Sequence, residues 1–303
     1  MNKAIEVRNL QKSYGDLTAV NNISFSVNQG ELFAFLGENG AGKSTTINML
    51  STILPKTSGE AFVMGHELGK NDDEIRKEIG IVFQNSVLDS KLTVKQNLLT
   101  RGAYYGYSKD EIMNRLRDFW EEFNLEEIWN QKYEKLSGGQ RRRIDIARAL
   151  IHKPGILFLD EPTTGLDPMS RKMVWDYINH LREKEKLTIF LTTHYMEETT
   201  GAGNVVIMDK GNIIAEGTPA ELRSRYTAKK LIWYTQANDD NRKIIENADV
   251  LQYRYEADHY SISMDEGITD FVWKNKDRIK DFEIIKGTMD DVFLRLTGKE
   301  MVS

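Results

Sequence analysis

Residues 37–45 read Gly-Glu-Asn-Gly-Ala-Gly-Lys-Ser-Thr, placing Gly37, Gly40 and Gly42 beside one lysine and two hydroxyls. Backbone that bare lets amide N–H groups close on phosphate oxygens with no side chain in the way. Gly37, Gly42, Lys43 and Ser44 satisfy G-x-x-x-x-G-K-[ST], and Asn39, Gly40, Ala41 and Thr45 complete the loop. The apolar run 31–37 predicts a buried strand and 44–54 a helix, so the loop ends on a helix N-terminus that favours anions. In that frame Lys43 reaches the β- and γ-phosphates of a nucleotide and Ser44 binds Mg²⁺. An ordinary glycine-rich turn is the bland alternative, and the flanking strand and helix argue against it.

Two further stretches carry chemistry. Asp160 and Glu161 end the apolar run 155–162, at the strand end where ligands bind in open α/β sheets. Adjacent strand residues point to opposite sides, so the two carboxylates take separate tasks. Asp160 is assigned to the Mg²⁺ shell and Glu161 to the water that attacks the γ-phosphate. In Leu-Ser-Gly-Gly-Gln (136–140), Ser137 and Gln140 form a capping box at a helix start, with Gly138 and Gly139 baring the amides as a second anion site. The three arginines that follow, 141–143, read as a solvated face.

These groups need elements to hold them. Apolar strands at 79–84, 155–162, 187–194 and 204–217, the last with a Lys210-Gly211 turn, alternate with helical patterns and imply a mostly parallel sheet covered on both faces. Residues 1–30 alternate as strands, and a helical stretch spans about 86–152. From about 229 the order becomes β-α-β-β-α-β, with Ala257-Asp258 as a hairpin turn, which matches a small ferredoxin-like α+β unit. No internal repeat is present.

The 303 residues suffice for one sizeable domain and a small one. With no cysteine, the chain has no disulfide, thiolate metal site or thiol nucleophile. A net charge of -5 gives no global pull toward nucleic acid or anionic lipid. No run approaches a membrane span and the start lacks a signal-peptide core, which predicts a soluble cytoplasmic protein.

Residues 37–45, Gln84, Leu-Ser-Gly-Gly-Gln, Ile-Leu-Phe-Leu-Asp-Glu-Pro, Gly-Leu-Asp (165–167) and His194, in this order, resemble the nucleotide-binding subunit of an ATP-binding cassette (ABC) transporter. The resemblance covers residues 1 to about 225. It implies an α/β P-loop ATPase core with an antiparallel β subdomain and a helical subdomain, while the 229–303 unit, which has no glycine-rich phosphate loop, is expected to act in regulation or dimer stabilisation. It further implies ATP and Mg²⁺ as cofactors and a head-to-tail dimer holding two ATP molecules between P-loops and opposing signature motifs, so that Ser137 and Gly139 meet the partner's nucleotide. By the same resemblance Tyr14 stacks on adenine, Gln84 links Mg²⁺ to the transport interface, Asp167 sits in the loop that crosses the dimer, and His194 contacts the γ-phosphate.

The C-terminal stretch 289–298 is similar to ATPase subunits of bacterial drug exporters of the daunorubicin-resistance type. Residues 198–206 depart from the pattern, which expects an acidic residue just before the strand. The expected partners are a second ATPase subunit, in the first place another copy of this chain, and an integral membrane permease on another chain, with no nucleic acid. The segment 85–99 is the candidate docking surface, and the expected location is the inner face of the cell membrane. The alternative is a soluble ABC-type ATPase acting on ribosomes or DNA; single-cassette length, the lack of cysteine and an insert of ordinary size argue against it.

Overall fold

The computed structural model describes residues 2–298. The chain divides into two compact units, one ending at Ile214 and one beginning at Ala215. In chain order the first carries β1 (Lys3–Tyr14), β2 (Leu17–Asn28), β3 (Leu32–Leu36), α1 (Lys43–Leu50), β4 (Ser58–Val63), β5 (His66–Glu67), α2 (Asp72–Glu78) and β6 (Ile79–Val82). It continues with α3 (Val94–Tyr104), α4 (Lys109–Arg117), α5 (Leu125–Ile128), α6 (Gly138–Leu150), β7 (Ile156–Asp160), α7 (Pro168–Glu185), β8 (Thr188–Thr193) and β9 (Asn204–Asp209), and β10 (Asn212–Gly217) spans the division.

Continuous apolar runs make the central strands: every residue of β3, β7 and β8 is buried, as expected of strands covered on both faces. They form a six-stranded sheet of order β10-β9-β3-β8-β7-β6, in which β9, β3, β8, β7 and β6 pair in parallel. The long β1 and β2 alternate buried and exposed residues, and pair antiparallel with each other and, through β1, with β4 in a second sheet of order β2-β1-β4-β5. One core joins the two sheets. Phe25 of β2 stacks on Phe33 at 5.4 Å between ring centroids, and Phe35, Phe158 and Phe190 close the cluster. This packing holds the C-terminal ends of β3, β7 and β8 in register.

Three local expectations are corrected. The helix after the glycine loop stops at Leu50 instead of 54, because Ser51 has left helical geometry and Thr52 adopts φ 64°. The helical stretch starts at Val94 instead of 86, where Thr93 and Gln96 form a capping box. Within the 86–152 stretch the helical period breaks at Arg117, where α4 ends, ahead of Asn124 at φ 50°.

The second unit contains α8 (Pro219–Tyr226), β11 (Lys229–Tyr234), α9 (Asp239–Glu246), β12 (Gln252–Glu256), β13 (His259–Met264), α10 (Ile268–Lys274), β14 (Phe282–Ile285) and α11 (Met289–Thr297). Its sheet has the order β12-β13-β11-β14, antiparallel throughout. Leu231, Trp233, Tyr260 and Ile262 pack there against Ile245, Ile268 and Phe271 from α9 and α10. A domain boundary near 225 would leave most of α8 with the first unit. Instead α8 packs on α11, and Arg295 Nη1 donates to Tyr226 O at 3.3 Å.

Candidate active site

The glycine loop leaves β3 and re-enters helix at Gly42, which has φ 108°. Two constraints require glycine there: L side chains avoid that backbone, and a Cβ would stand 2.6 Å from Ala19 O and 2.9 Å from Met208 Cε. No side chain caps α1, so its first-turn amides are left to a ligand. Lys43 is buried, its Nζ donating to Gly37 O at 2.7 Å and Glu38 O at 3.0 Å. Burial pulls its pKa below the usual lysine value, and the charges of Glu161 and Asp160 oppose that.

Glu161 is the hub. It is buried at the end of β7 with φ 46°, a left-handed conformation that a side chain other than glycine occupies at a cost of about 1–3 kcal/mol. Its Oε1 lies 3.4 Å from Lys43 Nζ. Its Oε2 accepts from Gln84 Nε2 and from Thr164 Oγ1, each at 3.2 Å, and lies 3.3 Å from His194 Nδ1. Asp160, the last residue of β7, has contacts of its own, because the left-handed turn at Glu161 takes the next side chain out of the strand. Its Oδ1 accepts from Ser44 Oγ at 3.0 Å and from Thr192 Oγ1 at 2.5 Å.

Asn39, Gly40, Gly42, Lys43, Ser44, Thr45, Gln84 and Glu161 line one cleft of about 320 Å³, together with Ala19. Gly37 and Ala41 lie behind it. A Cβ on Gly37 would meet Met208 O at 2.5 Å, and Ala41 is buried with its carbonyl accepting from Gly211 N at 2.9 Å.

Besides Gly37 and Ala41, the predicted site residues Asp160 and His194 lie outside this lining but contact residues in it, whereas Tyr14, Ser137, Gly139 and Asp167 are engaged elsewhere. Tyr14 ends β1 with half its surface exposed, and Lys12 Nζ stands 4.9 Å from its ring centroid. Ser137 caps α6, accepting from Gln140 N at 3.2 Å while Gln140 Oε1 accepts from Ser137 N at 2.9 Å. Gly139 lies against α7, where a Cβ would come within 2.6 Å of Ser170 Oγ. Asp167 caps α7, accepting from Ser170 N at 2.9 Å, and the hydrogen bonds from Ser170 hold its carboxyl below the usual range. The start of α6 thus meets the Gly165–Asp167 loop and the start of α7, outside the cleft lining.

The solvated reading of the arginines fails at Arg142, which is 6% exposed. Its Nη1 donates to Phe83 O at 2.6 Å and its Nη2 to Glu161 O at 3.1 Å, tying α6 to the segment bearing Gln84 and to the end of β7. Burial lowers its pKa, with Asp145 opposing. A signal existed: Arg142, Ile146 and Ala149 fall on one helical stripe, the buried face of α6. Thr192, missed likewise, is a buried hydroxyl directly after the apolar Ile-Phe-Leu of β8, where a polar partner is required.

Residues 20–164 match the ABC transporter family model. The Nod factor export ATP-binding protein I of Rhizobium sp. (strain N33) is 36% identical over 307 residues, spanning 98% of this chain and 98% of that protein. The chain belongs to the ABC transporter ATP-binding proteins. The cassette is an ATPase. The daunorubicin/doxorubicin resistance ATP-binding protein DrrA of Streptomyces peucetius is 34% identical, over 98% of this chain and 93% of that protein. Among solved structures, the ATP-binding cassette MJ0796, dimeric and bound to ADP and Pi, has a TM-score of 0.65 and 28% identity, over 71% of this chain and 98% of its own. Both full-length relatives align through the second unit, so that unit is shared with them and is not peculiar to this cassette.

Proposed function

We propose that this ATPase powers export of a small amphipathic molecule, lipid or glycan through a membrane permease on another chain, by ATP-driven closure of a head-to-tail dimer. The observation that carries the reading is the split of the site. Lys43, Gln84, Thr164 and His194 gather on Glu161 at one cleft, while Ser137 and Gly139 lie outside its lining. A nucleotide in the cleft is completed by the signature residues of a second copy, and two such sites make the dimer. The export names of the two full-length relatives support the direction of transport and disfavour a ribosomal or DNA-directed role.

Within the cleft, the amides of the glycine loop and the ammonium of Lys43 hold the phosphates, and Tyr14 stacks on the base. Ser44 and Asp160 fit a Mg²⁺ site: they are two hard oxygen donors 3.0 Å apart. No cluster of three or more ligating side chains occurs among the described residues, as suits an ion completed by phosphate and water. When bound, Mg²⁺ neutralises charge on the β- and γ-phosphates. Glu161 takes the proton of the attacking water, Gln84 and His194 orient that water and the γ-phosphate, and Asp167 crosses to the partner.

No helix among the described residues is long and apolar enough to cross a membrane, which supports a separate permease chain and a place at the cytoplasmic face. A groove of about 510 Å³ suits the permease contact: it is lined in part by Ile53, Val87, Tyr104, Arg101, Arg148 and His152. Ile53, Val87 and Tyr104 are 52%, 58% and 80% exposed, an apolar rim of the kind a partner covers. Val87 falls inside the 85–99 segment. The second unit, read as ferredoxin-like from its strand order and without any glycine-rich loop at a helix start, serves regulation or dimer stability.

The test is Glu161→Gln, which keeps the contacts of the cleft but removes the base. With saturating ATP and Mg²⁺ it accumulates a closed dimer by light scattering. A variant that binds ATP yet stays monomeric, alone and with its permease, refutes the dimer reading.

A further inference from the structure

We propose that Glu198 is a positioning residue for hydrolysis, whose buried carboxylate clamps the loop leaving Glu161 to the segment leaving His194. It rests on the assignment of Glu161 and His194 to catalysis. Glu198 is 5% exposed and lies in the short 3-10 turn Met196–Thr199, four residues after His194. Its Oε1 accepts from Thr163 Oγ1, two residues after Glu161, and from Trp175 Nε1 of α7 at 3.1 Å. Thr163 is fully buried, so the donor has no water to turn to. One oxygen therefore joins three elements: the exit of β7, the helix that follows it and the exit of β8.

His194 needs such an anchor. Its side chain is about a third exposed, its Nδ1 has no aligned hydrogen bond among the described residues, and its approach to Glu161 Oε2 is 3.3 Å. The turn beneath it is internally fixed, with Glu198 N donating to Tyr195 O at 3.2 Å and Thr199 Oγ1 to Met196 O at 2.7 Å. A rigid turn pinned at Glu198 fixes where His194 emerges. Misplacement of a catalytic group by about 1 Å costs up to ~100-fold in rate.

The other oxygen, Oε2, has no hydrogen-bond partner among the described residues, and Glu198 lines a cavity of about 360 Å³. Glutamine therefore keeps the acceptor that Thr163 and Trp175 use, alters the oxygen that accepts no hydrogen bond among the described residues, and removes a charge felt by Arg142. A clamp acting through hydrogen-bond geometry survives that exchange. Alanine removes the acceptor for both donors.

The experiment is steady-state ATP hydrolysis by the full chain carrying Glu198→Ala, Glu198→Gln, Thr163→Val, the Glu198→Ala/Thr163→Val pair and His194→Ala, with fluorescent ATP-analogue binding in parallel. Expected are a kcat lowered about tenfold or more in Glu198→Ala and Thr163→Val with KM and analogue affinity within about twofold of the parent, kcat restored to within about threefold in Glu198→Gln, and a pair no worse than the poorer single variant. Should Glu198→Ala fail to fold, Thr163→Val and Glu198→Gln carry the comparison. Parent-like kcat in Thr163→Val, additive losses in the pair, or a Glu198→Gln as slow as Glu198→Ala overturns the clamp. An active His194→Ala overturns the catalytic reading and the clamp with it. An inactive His194→Ala beside an unaffected Glu198→Ala overturns the clamp alone.

Discussion

His152 at the groove makes stability depend on pH in a calculable way. The ring is 9% exposed, stacks on Tyr105 with centroids 4.3 Å apart, and places Nε2 2.9 Å from Ile79 O. A carbonyl only accepts, so Nε2 carries the proton, and the buried Nδ1 has no hydrogen-bond partner among the described residues to receive a second one. Burial, reinforced by Arg101, Arg115 and Arg148, brings the pKa down to about 4, against the restoring bond to Ile79. The unfolded chain takes up this proton near 6.5 and the folded chain only near 4. Between those values the unfolded state holds more protons, so stability falls as pH drops from about 6.5 to about 4, and this group adds no slope outside that window. The full difference corresponds to about 3 kcal/mol, of which about 2.5 kcal/mol is lost by pH 4.5. The assay is urea unfolding of the parent and of His152→Phe at pH 7.5 and 4.5. Phenylalanine keeps a ring on Tyr105 but cannot protonate, and carboxylate titrations common to both proteins cancel in the comparison. The parent loses about 2.5 kcal/mol more than the variant on acidification. Parallel losses would refute a buried neutral His152.

Lys43→Ala removes the fixed charge of the phosphate cradle, so ATP affinity and turnover both fall by about tenfold or more, read by nucleotide titration and phosphate release; undiminished ATPase activity refutes the cleft as the hydrolytic site. Arg142→Met keeps much of the aliphatic packing but withdraws three charge-assisted bonds, the shorter two to Phe83 O and Glu161 O and a longer one to Gln84 O. At roughly 1.5–3 kcal/mol for each of the two shorter bonds, the expected destabilisation is about 3–6 kcal/mol by urea midpoint, and a loss below about 1 kcal/mol shows that Arg142 is no structural tie.

Chemistry that depends on consecutive residues was legible in the chain. The glycine loop, the carboxylate pair and the capping box are each local, and the structure forms the box as Ser137 and Gln140 imply. Continuous apolar runs marked β3, β7 and β8 for the same reason, since a strand buried on both faces needs no outside information to be recognised. Helix ends were less legible. Apolar spacing ran past Leu50 and Arg117, while backbone geometry at Thr52 and Asn124, set by what the chain does next, ended both helices. Arg142 was misread because three consecutive arginines look solvated until the face that α6 buries is known.

What the sequence determined by itself was therefore a nucleotide-binding α/β ATPase and most of the residues at its cleft, because phosphate contact demands particular residue types at fixed short spacings. What only the tertiary structure decided was which of them act together. Gln84 and Glu161 lie far apart in the chain, as do Thr163 and Glu198, yet parallel pairing of β6, β7 and β8 brings their ends side by side. The same packing set Gly139 against α7 and left both Ser137 and Gly139 outside the cleft lining. Long-range convergence of this kind is set by strand order and by the shared phenylalanine core beneath it, and no window of sequence contains either.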